Sequence, residues 1–130
     1  MQLISLVSLA SLLASAHAAV MYRQEPNPHI IDFRGFSGPD CLEGNEGVYT
    51  VVSHDFVNGE CKSLIENAPN DNTTSVLVGT FDSPCEIRFF ETSDCSDAGK
   101  ALDQESDSRC VGNAEKRFVA FELSCQNHAR

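Results

Sequence analysis

Residues able to do chemistry are few in this chain, and they are scattered. His54 and Asp55 form the one adjacent acid–base pair. Neighbouring side chains on a strand point to opposite faces, so this carboxylate could not orient that imidazole as a hydrolytic triad requires. His29 and His128 are the other histidines beyond the first 18 residues, one in a proline-containing leader and one near the C-terminus. Asp103 and Glu105 supply two carboxylates, but glycosidase chemistry needs them across a cleft at a fixed separation, and "LDQESDS" reads as an open acidic loop. A thiol nucleophile would need a free cysteine beside a base. The six cysteines are even in number, so complete pairing leaves none free. A chain without catalytic residues is expected, with no required cofactor.

The cysteines, Cys41, Cys61, Cys85, Cys95, Cys110 and Cys125, include no Cys-x-x-Cys pair and have no histidine pair nearby, which argues against zinc and for three disulfides. Such bridges persist in oxidising compartments. The N-terminus agrees: an apolar run from Leu3 to Ala16 is followed by Ala16-His17-Ala18, the pattern of a secretory signal peptide cut after Ala18. That run is too short to span a bilayer, and no later apolar stretch serves as a membrane span. Secretion to the extracellular space is expected. About 112 residues remain after cleavage, enough for one domain with a modest core. The formal net charge of −10 disfavours nucleic acid and anionic membrane as partners, since both are held through Lys and Arg. It suits solubility or cation binding.

The expected organisation is a signal peptide at 1–18, a flexible leader at 19–29, a single disulfide-rich β domain at 30–126 and a tail at 127–130. Short β-branched and aromatic runs bounded by turn residues place strands at Ile30 to Phe33, Gly47 to Ser53, Ser75 to Thr80, Glu86 to Glu91 and Arg117 to Leu123. "GECKSLIEN" is read as one helical turn before Pro69, with Leu64 and Ile65 tucked inward. No long amphipathic helix is present, so the fold class is all-β, a small disulfide-stabilised sandwich of Greek-key type.

"FRGFSGPDC" from Phe33 to Cys41 is echoed by "IRFFETSDC" from Ile87 to Cys95, with Arg34 matching Arg88, Phe36 matching Phe90, Asp40 matching Asp94 and Cys41 matching Cys95. An aromatic strand, an Asp-Cys turn, a second cysteine, an apolar strand and a third cysteine follow in the same order in both halves. This suggests two internal repeats of roughly fifty residues, assigning Cys41, Cys61 and Cys85 to the first and Cys95, Cys110 and Cys125 to the second. One symmetric solution pairs Cys41 with Cys61, Cys95 with Cys110 and Cys85 with Cys125, out of 15 connectivities that six cysteines allow. Arg34 and Arg88, at matching positions, either pair with local carboxylates or mark a binding face.

A unit that opens with an aromatic strand, turns about five residues later and ends in a polar loop before "SV" resembles the Greek key of βγ-crystallins. In that family a calcium loop reads Asn/Asp, Asn/Asp, two variable residues, Ser/Thr and Ser, and Asn70-Asp71-Asn72-Thr73-Thr74-Ser75 matches it. The resemblance implies calcium held by Asn70, Asp71 and the hydroxyl of Thr74 or Ser75, hard oxygen donors as that cation prefers. Cys41 and Cys95 stand where the family places a second aromatic, and the second half has no matching loop. Asn72-Thr73-Thr74 is also an acceptor sequence for N-glycosylation. The whole chain is similar to the small secreted cysteine-rich proteins of filamentous fungi. That likeness implies a non-enzymatic effector or virulence-associated protein engaging a host extracellular component. Alternatives are an antimicrobial or killer-toxin-like protein and a secreted hydrolase or protease inhibitor. The partner and the oligomeric state are left open.

Overall fold

The computed structural model describes residues 28–66, 72–81, 84–112 and 115–126. The proposed signal peptide, most of the leader and the tail lie outside them. Eight strands follow in order: β1 (His29–Phe36), β2 (Asn45–Val52), β3 (Cys61–Ser63), β4 (Ser75–Val78), β5 (Cys85–Phe90), β6 (Lys100–Asp103), β7 (Cys110–Val111) and β8 (Ala120–Cys125). Single 3-10 turns occupy Pro39–Cys41 and Ser53–Asp55. All five expected strands are present. The expected helical turn is not: Cys61–Ser63 is a strand, paired antiparallel with β8 through Cys61↔Glu122 and Ser63↔Ala120. Three residues of weak local preference take the conformation that an unpaired sheet edge offers them.

The strands form two antiparallel four-stranded sheets, ordered β2-β1-β4-β7 and β3-β8-β5-β6. Written from the other edge, the second is β6-β5-β8-β3, which matches the first strand for strand. Each half contributes its first, second and fourth strands to its own sheet and gives its third to the other. The fourth strand returns beside the first, as in a Greek key. The exchange follows from length, since β3 and β7 are too short to bury a face alone and gain backbone partners on the neighbouring sheet.

Alternation drives the inner faces together. Phe33, Val76 and Val78 of the first sheet meet Ile87, Phe89, Phe121 and Leu123 of the second in one core. Phe33 stacks on Tyr49 at 5.1 Å between ring centroids and meets Phe89 and Phe121 edge-on at 5.2 Å each. These are the offset and T-shaped arrangements that aromatic quadrupoles favour. Two consecutive isoleucines, Ile30 and Ile31, are both buried because the β1–β2 register shifts between His29 and Ile31.

The repeated letters now have structural roles. Arg34 and Arg88 lie at matching outward positions of β1 and β5. Phe36 and Phe90 end those strands, buried at the start of the turn that leads to the next strand. Cys41 and Cys95 both take positive φ, 57° and 56°, in those turns. Each then bridges to the strand received from the other half: Cys41 to Cys110 of β7, and Cys95 to Cys61 of β3. These two bridges replace the symmetric guess of Cys41 with Cys61 and Cys95 with Cys110. A cysteine pairs with whatever the exchange brings within reach, and the exchange brings the other half's third strand. Cys85 does join Cys125. That bridge is cross-strand within the second sheet, where Cys85 on β5 faces Cys125 on β8, so Cys85 belongs to the second unit and not the first.

Candidate functional site

His128 lies outside the described residues, and the other residues weighed for catalysis do not converge. His54 and Asp55 sit exposed in the 3-10 turn after β2. Asp103 is tied into its own turn, its Oδ1 accepting from Ser106 Oγ at 2.8 Å and from the Glu105 backbone N–H at 3.1 Å. The Ser106 hydroxyl, first among its hydrogen bonds, holds the Asp103 carboxyl below the usual range, and Ser96 does the same for Asp94. All six cysteines are bridged. Among the described residues no group of three or more His, Cys, Asp or Glu side chains is placed to hold a metal ion.

Asn70 and Asp71 lie outside the described residues. Ser75 is fully buried, its Oγ donating to the Gly38 carbonyl at 2.7 Å and accepting from the Cys41 N–H at 3.0 Å. That hydroxyl closes the turn of its own half and presents no oxygen to solvent. Thr74 Oγ1, half-buried, donates to the Ser37 carbonyl at 2.9 Å. Asn72 is exposed.

Arg34 and Arg88 do not form one face, because their strands belong to opposite sheets and both point outward. Arg88 is engaged locally: Nη2 donates to Glu86 Oε1 at 2.8 Å and Nη1 to the Ala98 carbonyl at 3.0 Å. Arg34 is exposed and makes no ion pair among the described residues. Its cross-strand neighbours are Val48 on β2 and Leu77 on β4, which remain 59% and 40% exposed. The matching row of the second sheet places Ala101 and Glu122 beside Arg88. The outer face of the first sheet is therefore apolar where its counterpart is small and charged.

A shallow groove on that face is lined by Asp32, Arg34, Val48, Leu77, Thr80 and Arg109 among others. Arg109 lies over the Phe81 ring, 5.5 Å from its centroid. Asp32 Oδ1 and Arg109 Nη1 are shielded from solvent without a hydrogen-bond partner among the described residues, while Asp32 Oδ2 lies 3.6 Å from His29 Nδ1. Buried polar atoms are nearly always satisfied in folded proteins, so these two stand out beside the groove. Sequence reasoning missed Val48, Leu77 and Arg109. Period two could have found Leu77, because in "SVLV" the middle residue must face away from Val76 and Val78.

The fold and this face define a Greek-key sandwich of two half-domains that exchange their third strands, with a sheet face that is exposed, apolar and basic among the described residues of an acidic chain. No family model matches the chain, and comparison with curated proteins and with solved structures found no significant match. Among the described residues no helix is long and apolar enough to cross a membrane.

Proposed function

We propose that the protein is a secreted, non-enzymatic binding module of the effector type, acting outside the cell through the outer face of its first sheet. The observation that carries this reading is the contrast between matching rows of the two sheets. Val48, Arg34 and Leu77 are exposed as a set, whereas Ala101, Arg88 and Glu122 are small, locally paired or acidic. Three disulfides support an oxidising destination. Two arginines beside exposed aliphatics, on a chain of net charge −10, favour a partner surface with both apolar groups and carboxylates. The paired strand-and-hairpin units support the kinship with βγ-crystallin Greek keys suggested by the loop before β4.

The test compares the oxidised protein with Leu77→Asp and Arg34→Glu variants for saturable binding to components of host extracellular fluid. Both side chains point outward, so thermal stability should hold within about 0.5 kcal/mol. A partner bound by the parent and weakened at least about tenfold by either variant supports the reading, since about 1.4 kcal/mol is a modest loss for one contact at an interface. Equal binding by parent and variants refutes it.

A further inference from the structure

The two halves share one architecture but fill it differently at one point. On the inner face of β5 the residue after Arg88 is Phe89, fully buried between the sheets. Its counterpart after Arg34 is Gly35, and the cross-strand neighbour of Gly35 is another glycine, Gly47. Thr73 takes part of the room, since a Cβ on Gly35 would come within 2.8 Å of its Oγ1. It does not reach Gly47, where a Cβ would meet nothing within 4 Å. What remains is a cavity of about 200 Å³ walled chiefly by Phe33, Tyr49, Leu64, Ile65, Val76 and Phe118.

We infer that this cavity binds one small aromatic molecule of one or two rings, carrying a neutral or cationic hydrogen-bond donor at its polar end. Three observations lead there. Size comes first: an apolar cavity of about 150 Å³ is known to hold benzene, so the space here suits a substituted benzene or an indole. The second is the internal comparison: the Gly35–Gly47 pair stands where the other half carries Phe89 and Lys100, and Thr73 fills only the Gly35 side. The third is polarity. The register shift between Gly35 and Phe36 leaves Glu46 as an extra residue on β2, and such a bulge re-aims its side chain, here onto the cavity. A carboxylate accepts hydrogen bonds and repels anions. Burial first and the Glu66 carboxylate second raise the pKa of Tyr49, so this neighbour of Glu46 on β2 stays an uncharged phenol at neutral pH. The cavity lies on the core side of the first sheet; Phe33 and Val48 border both it and the outer groove, whereas Arg34 and Leu77, the residues varied above, line only the outer groove.

The test is an NMR titration of the oxidised protein with indole, benzylamine and benzoate, observing Phe33, Tyr49, Val76 and Phe118. Indole and benzylamine should shift these resonances saturably, with benzoate at least tenfold weaker. Ile65→Trp fills the cavity from a half-buried position and should abolish both shifts while the spectral fingerprint elsewhere is kept. Glu46→Lys, at a solvent-facing end of the site, should invert the order of benzylamine and benzoate. The inference is overturned by an absence of saturable shifts up to roughly 10 mM ligand, the weakest affinity worth calling a site. It is overturned equally by shifts that persist in folded Ile65→Trp. Should Ile65→Trp not fold, the ranking of ligands by Glu46→Lys decides, and an unchanged order refutes the site.

Discussion

Ser75→Ala should be among the more damaging single substitutions in this protein, although it removes one oxygen atom. The hydroxyl joins β4 to the turn between β1 and β2, donating to the Gly38 carbonyl and accepting from the Cys41 N–H. Alanine would leave the Cys41 amide buried without a partner, which costs about 1–3 kcal/mol, and would free a carbonyl that water can partly satisfy at about 1 kcal/mol. The sum of about 2–4 kcal/mol corresponds to a fall in Tm of about 10–25 °C for a domain of this size. The second half provides the control. Ala120 is the counterpart of Ser75, and there the Cys95 N–H turns instead to the Thr92 carbonyl at 3.4 Å, while Thr92, Ser96 and Asp97 brace the turn through side chains. Ala120→Ser should therefore gain nothing and lose some stability by burying a hydroxyl without a partner waiting. The assay is thermal unfolding by circular dichroism on oxidised protein. A Tm for Ser75→Ala within about 2 °C of the parent would refute the structural role and free that oxygen for another ligand.

Three other outcomes are expected. A non-reduced peptide map should recover Cys41 with Cys110, Cys61 with Cys95 and Cys85 with Cys125, and a Cys41–Cys61 peptide would contradict the strand exchange. Gly99→Ala should cost about 2–4 kcal/mol, because φ is +61° and a Cβ would lie 2.7 Å from Arg88 Cγ and 2.8 Å from the buried Phe90 ring; denaturant midpoints check this. The folded pKa of Asp103 is depressed by Ser106, so its contribution to stability is present above the unfolded carboxylate value of about 3.9 and is lost as pH falls through the folded value. Ser106→Ala should thus destabilise at neutral pH by a margin that narrows in acid, and a gap independent of pH would show that the carboxylate is not involved.

The all-β class, the sandwich and five of the eight strands were legible because β1, β2, β4, β5 and β8 carry enough apolar alternation to signal themselves. β3, β6 and β7 were not legible. β6, "KALD", buries only Leu102, and β7 is two residues long; both are sheet edges held by their partners rather than by their own pattern. The candidate site was half visible. Arg34 was singled out by the repeat, yet its pairing with Arg88 as one surface failed because matching positions in two facing sheets point in opposite directions.

By itself the sequence determined that the chain would fold as strands around aromatic cores and close its cysteines in pairs, since both follow from local alternation and from an even count. The disulfide partners, the apolar face beside Arg34 and the cavity at Gly35 and Gly47 were decided by tertiary structure alone. The apolar face depends on the pairing of β1 with β2 and β4, whereas the bridges of Cys41 and Cys95 and the cavity wall from Leu64 and Ile65 depend on which half receives the short third strands. That exchange is settled by the need of two-to-three-residue strands for backbone partners and a shared core, a demand on the whole sandwich that leaves no mark on any single segment.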